Sequence, residues 1–263
     1  MGRTLVVLGV LAGLSGAGHA AQQSDFARIE ALVTGSSSLA EMEAETLAIL
    51  EASPGLVTAR DGWGPLLLHA VDGISLGGEA AKKARRLAEI LISKGADVDD
   101  VDLDGEPLLI HYAVFARVTP LQFLLAHGAR PDIRDRQYGR TALHWLVMAA
   151  RPEPGEESDP VMLRRALECA RALLAAGAPI DAVDGRGATP LHGAAAAGLF
   201  DLIKLLVERG ADLNARDNDG YSVLGILLER WEEQRPPAGE RKPLPPVAEY
   251  LQARGARDER PPR

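Results

Sequence analysis

The densest run of chemistry-bearing side chains is Asp100-Val101-Asp102-Leu103-Asp104-Gly105, alternating carboxylates closed by a glycine. Carboxylates at every second position before a turn glycine open a calcium loop, where hard oxygen ligands wrap the ion. The bidentate glutamate required seven residues after Asp104 is instead His111, so a calcium-dependent surface module stands only as an alternative. His69 and His111 are a conceivable metal pair, but no metal site is assigned to them. His144 and His192 each end a Thr-x-x-His segment, where hydrogen bonding to turn backbone is the simpler role. Cys169 is the single cysteine, which rules out an intramolecular disulfide; in Leu167-Glu168-Cys169-Ala170 it reads as a small buried apolar residue. The chain has no nucleophile elbow, phosphate-cradling glycine loop, Cys-x-x-Cys or His-Glu-x-x-His. No catalytic residue and no cofactor are assigned, and the chain is read as non-enzymatic.

These residues are positioned by a recurring beat. The pair Gly-Ala ends an aliphatic run at Gly95, Gly128, Gly177, Gly210 and Gly255, at intervals of 33, 49, 33 and 45 residues. One repeating unit with inserted material accounts for two equal and two longer intervals, and periods of this size mean a stacked array. Turn glycine to Gly-Ala distances are 23 for Gly105 and Gly187, against 33 for Gly62, 38 for Gly139 and 35 for Gly220. The surplus maps to Asp72–Arg86, Arg151–Arg165 and Gln234–Pro246; the first is expected to extend a helix through Glu79–Arg86, and the other two to form surface loops. One extra residue of the third copy falls in the turn before Gly139.

The most complete copy runs from Asp184 to Arg216. Thr189 caps a helix, Pro190 occupies its first turn, Ala194 and Ala195 permit close approach, and Gly210 ends the second helix in a left-handed cap. The Asp135 copy keeps Gly139-Arg140-Thr141-Ala142-Leu143-His144; the Asp217 copy has Ser222-Val223-Leu224-Gly225; two earlier copies read Gly64-Pro65-Leu66-Leu67 and Pro107-Leu108-Leu109-Ile110. On these residues the chain resembles the ankyrin repeat proteins, in particular exported bacterial members, with the match covering Arg60 to Ala256. The resemblance implies an all-α solenoid of paired antiparallel helices with β-hairpin-like turns. About five repeats occupy 60–256. Residues 21–59 read as an N-terminal helical cap of two helices, the first capped at Ser24 or Asp25, and 257–263 as a disordered tail.

Residues 1–20 read as an export signal: Arg3, an apolar Thr4–Leu14, and small residues ending at Ala20, after which cleavage is expected. This places the protein in the periplasm or outside the cell, with no membrane insertion after cleavage. With a net charge of -8 and a pI near 5.3, no nucleic acid partner is expected.

What remains is binding. Ankyrin proteins use turn tips and the exposed side of each first helix, which here implies a partner-binding set of Trp63, Leu103, Phe115, Arg136, Tyr138, Arg140, Trp145, Met148, Arg186 and Tyr221. Aromatics and arginines carry interface energy. The acidic tip from Asp97 to Glu106 beside the basic tip Arg130, Arg134, Arg136 and Arg140 favours one docking register. The expectation is a monomer in the bacterial envelope holding one protein partner, for instance as an immunity-type inhibitor or escort of a secreted toxin or enzyme. A host-directed secreted effector is the alternative.

Overall fold

The computed structural model describes residues 17–152, 159–233 and 245–261, and divides the chain into two compact units, 1–96 and 97–263. All named elements among the described residues are helical. None of these helices is long and apolar enough to cross a membrane.

The first unit holds α1 (Ala17–Thr34), α2 (Leu39–Ala52), a 3-10 turn (Pro54–Thr58), α3 (Leu66–Gly73) and α4 (Gly78–Ser93). Helix α1 spans Ala17–Thr34, so Ser24 and Asp25 lie inside it rather than capping it. Alanine-rich sequence carries the helix upstream, and Asp25 instead accepts hydrogen bonds from Arg28 (3.3 Å) and Ser53 Oγ (3.1 Å). Helix α2 starts on a capping box, with the Glu41 N–H donating to Ser38 Oγ (3.2 Å) and the Ser38 N–H to Glu41 Oε2 (2.7 Å). Helix α1 packs on α3 and α2 on α4, which is how a terminal helix pair covers the apolar side of the next. Lys83 of α4 is buried and donates its ammonium to Gly35 O (2.7 Å) and Leu32 O (3.4 Å). A cation thereby meets the carbonyls that α1 leaves unpaired at its C-terminus.

The second unit holds α5 (Leu108–Val114), α6 (Val118–Ala126), α7 (Ala142–Ala149), α8 (Pro160–Ala175), α9 (Pro190–Ala197), α10 (Phe200–Glu208), α11 (Val223–Glu233) and α12 (Pro246–Gln252). It is an all-α solenoid. The first helices stack as α5 on α7, α7 on α9 and α9 on α11, and the second helices as α6 on α8 and α8 on α10.

The Gly-Ala beat is the device that ends each second helix. Glycines 95, 128, 177, 210 and 255 all take φ between 87° and 99°, where a side chain would be strained. The following alanine N–H reaches back to the carbonyl of Leu91, Leu124, Leu173, Leu206 or Leu251 at 2.9–3.1 Å. That six-to-one bond is the Schellman closure.

The second and third inserts differ from expectation in part. Residues 160–165 belong to α8, because Asp159 caps it by accepting the Val161 N–H (2.8 Å) and Pro160 opens it. Pro246 of the third insert opens α12, and residues 153–158 and 234–244 of those inserts lie outside the described residues. Helix α4 does extend through Glu79–Arg86. Cys169 is fully buried in α8, and burial pushes its thiol up to about 12.

Candidate partner-binding face

Each repeat is joined to the next by a turn built around one aspartate. In the second unit Asp102, Asp135, Asp184 and Asp217 each donate a backbone N–H to a carbonyl further along the turn, at Glu106, Arg140, Ala188 and Tyr221 (2.9–3.1 Å). The span is four residues except at Asp135, where it is five, which places the extra residue of the third copy as the sequence suggested. The carboxylates fold back on the same turns. Asp184 Oδ1 accepts from the Arg186 and Ala188 N–H groups (2.9 and 3.1 Å), and Asp217 Oδ1 from Asp219 and Tyr221 (3.1 and 2.9 Å). Burial would raise the Asp184 carboxyl, but these N–H bonds together with Arg140 hold it below the usual range.

The histidines divide by helical position. His144 and His192 are the third residues of α7 and α9 and are buried. At His192 the Thr189 N–H (3.2 Å) and hydroxyl (2.9 Å) meet Nδ1, which leaves Nε2 to donate to Tyr221 O of the next turn (3.3 Å). His144 repeats this with Thr141 and Ala188 O (3.1 Å). Burial holds both rings below the ordinary imidazole range against the pull of the carbonyls. The expected turn-backbone role is what the structure shows.

The fourth helical position does something the sequence reading missed. His111 of α5 brings Nδ1 within 2.9 Å of Asp102 Oδ2, and Trp145 of α7 donates Nε1–H to Asp135 Oδ2 at 2.8 Å. In the first unit His69 of α3 brings Nε2 to Asp61 Oδ1 at 3.1 Å, and Asp61 also accepts from the Trp63 and Gly64 N–H groups. In these three repeats a ring nitrogen at the fourth position braces its own turn's carboxylate. Only the recurrence of His69, His111 and Trp145 at one register after the turn aspartates signals it.

The same bonds bear on the calcium reading. Asp102 Oδ1 accepts from the Asp104 and Glu106 N–H groups (2.9 and 3.0 Å) and Oδ2 faces His111. Its carboxylate is therefore already the acceptor that shapes the turn. No group of three metal-ligating side chains converges among the described residues.

The sequence-derived partner set falls into three kinds. Leu103, Phe115, Tyr138 and Met148 of the second unit stand out as exposed large apolar side chains, at 38–54%. Arg136 and Arg186 are also exposed. Trp63, 63% exposed, belongs to the first unit. Trp145, Arg140 and Tyr221 are half-buried and engaged internally. The Arg140 guanidinium lies 4.7 Å from the Tyr138 ring centroid and 5.3 Å from that of Trp145, and its Nε is 3.4 Å from Asp184 Oδ2. Tyr221 donates its hydroxyl to Glu229 (3.0 Å). Tyr138, Arg140 and Trp145 thus form one pre-set aromatic and cationic platform.

Of the basic tip, Arg130 pairs with Asp132 (3.3 Å), Arg134 donates to Gly139 O (2.6 Å) and Val183 O, and Arg140 is held as described. Arg136 is the exposed arginine that acts on Glu106. Burial first, and then Asp135, Asp102 and Asp104, push the Glu106 carboxyl up, with Arg136 opposing them.

Residues 138–185 match the family model described as "Ankyrin repeat", and residues 164–226 the one described as "Ankyrin repeats (many copies)". The chain carries ankyrin repeats. Relatives include the E3 ubiquitin-protein ligase KEG of Arabidopsis thaliana, 36% identical over 41% of this chain and 6% of the relative. The nuclear factor NF-kappa-B p105 subunit of Mus musculus is 33% identical over 66% of this chain and 16% of its own length. Rabankyrin-5 of Homo sapiens is 30% identical over 57% and 12%. The chain therefore spans less than a fifth of each of these relatives. Ankyrin repeats are typically non-catalytic protein-binding modules, and the shared segments are the repeats.

Proposed function

We propose that this chain acts in the bacterial envelope as a non-catalytic module that captures one protein through the second unit's Leu103, Phe115, Tyr138 and Met148. The observation that carries the reading is their exposure. Among the described residues of the second unit seven large apolar side chains are exposed; these four lie on the turn tips and at the C-terminal ends of α5 and α7, and the others are Val161, Val183 and Phe200. An apolar group maintained in water beside a rigid cation–π platform fits the anchors of an interface.

Export rests on the apolar segment and small residues ending at Ala20. Among envelope roles, inhibition or escort of a secreted toxin or enzyme suits a one-partner binder.

Affinity purification from a periplasmic extract followed by mass spectrometry tests the reading. Phe115→Ala with Tyr138→Ala should weaken capture by about thirtyfold, from about 2 kcal/mol at a hot spot, with an unchanged far-UV circular dichroism spectrum. Equal capture by the double variant overturns the assigned face. N-terminal sequencing of the exported protein should begin at Ala21.

A further inference from the structure

Turns in the second unit open by donating a backbone N–H to a side chain of an earlier turn. The Arg130 N–H goes to Asp99 Oδ1, Asp212 to Asp181 Oδ1 and Arg257 to Asn214 Oδ1, each at 2.9 Å. Each donor directly follows a Gly-Ala pair. Residues 257–261, read from the sequence as part of a disordered tail, therefore lie in the register of a further turn's opening arm.

The receiving edge is equally specific. The Ser222 N–H donates to Glu259 O (2.9 Å), its hydroxyl donates to Arg257 O (2.6 Å), and the same oxygen accepts from the Glu259 N–H (3.1 Å). Two side chains of the arm are also read: Glu259 by Arg216 (2.5 Å), and Arg260 by Glu232 (3.0 Å). Gly225 takes the third helical position of α11, which holds the buried histidine in α7 and α9. A Cβ at Gly225 would lie 2.5 Å from Glu259 O, so the missing side chain is what admits the arm.

We propose that the edge formed by Asn214, Arg216, Ser222, Gly225 and Glu232 is a docking site for an extended peptide segment bearing a glutamate followed by an arginine, with residues 257–261 as its resident, displaceable occupant. The backbone bonds accept any extended chain, and the ion pairs select the charge order. Displaceability follows from the grip. Both ion pairs are partly solvated, with Arg216 54% and Glu232 37% exposed, and such pairs add little. Pro261 has no N–H to continue the ladder.

The test uses the full chain and a fluorescein-labelled peptide of residues 256–263. Glu259→Lys sets a lysine against Arg216 and loosens the arm while leaving the edge intact. Its chain should bind the wild-type peptide about threefold more tightly than the unaltered chain does, the scale of one solvated ion pair lost and one repulsion gained. Gly225→Ala suits helix α11 but fills the space under Glu259 O; this chain should bind no peptide and lose hydrogen-exchange protection at the Ser222 and Glu259 amides. Wild-type amides at Ser222 and Glu259 that exchange at unstructured-peptide rates would overturn the proposal. So would a Glu259→Lys chain that ignores the peptide, or a Gly225→Ala chain that binds it equally well.

Discussion

His69 of the first unit and His144 and His192 of the second sit one helical position apart in their repeats, and their electrostatics are opposite. The third position points the ring between repeats, among a threonine cap and a backbone carbonyl, where burial keeps it neutral. The fourth position points it at carboxylates. Burial opposes protonation of His69, but Glu30 at 2.7 Å on Nδ1 and Asp61 on Nε2 outweigh it and raise the ring above its ordinary value. One residue type thus serves as a relay between stacked turns, where the neutral ring is favoured, and in the other unit as a clamp tying α1 to the first turn, where the protonated ring is favoured.

The largest expected effect comes from the turn carboxylates. Asp135 is buried and accepts the Tyr138, Gly139 and Arg140 N–H groups and Trp145 Nε1–H. Asp135→Ala should cost about 3 kcal/mol in urea denaturation, since four part-buried donors lose one buried acceptor. Asp61→Ala should cost less, as that turn is more open and has fewer donors. Equal losses would erase the contrast between the units.

His192→Ala should cost about 2 kcal/mol by stranding the Thr189 N–H and taking from Tyr221 O the second of its two donors, against about 1 kcal/mol for the half-buried His69→Ala. The pH slopes should then diverge. The unfolded rings titrate near the ordinary imidazole value of 6.5. For His144 and His192, lowered in the fold, stability is lost as pH falls through 6.5, because the unfolded state then binds more protons. For His69, raised in the fold, the clamp's contribution is full below 6.5 and is lost as pH rises through the folded value. Imidazole NMR titration should place His69 above 6.5 and the other two below it; the reverse order would refute the assignment. Arg140→Lys gives the smallest change, about 0.5 kcal/mol of stability from the lost stacking, while partner capture falls more.

The repeat beat, the Thr-Pro-Leu-His cap and the five-residue turn at Asp135 were legible because each is local: a φ requirement, a cap, a count. The bracing of Asp102 by His111 was half-visible as a register and was obscured by the calcium-like run beside it. The grip of Ser222 on Glu259 joins residues 37 apart and depends on stacking geometry that no periodicity encodes. The start of α1 was misplaced because Ser24 and Asp25 are good caps, and a good cap inside a helix looks the same in a sequence as one that begins it.

Cys169 makes the stack its own stopwatch. A thiol that is fully buried and that burial pushes up to about 12 is closed to an aqueous disulfide reagent while α8 stays packed. The rate at which it colours such a reagent therefore counts openings of the α8 layer, with no label added and no second thiol to confuse the reading.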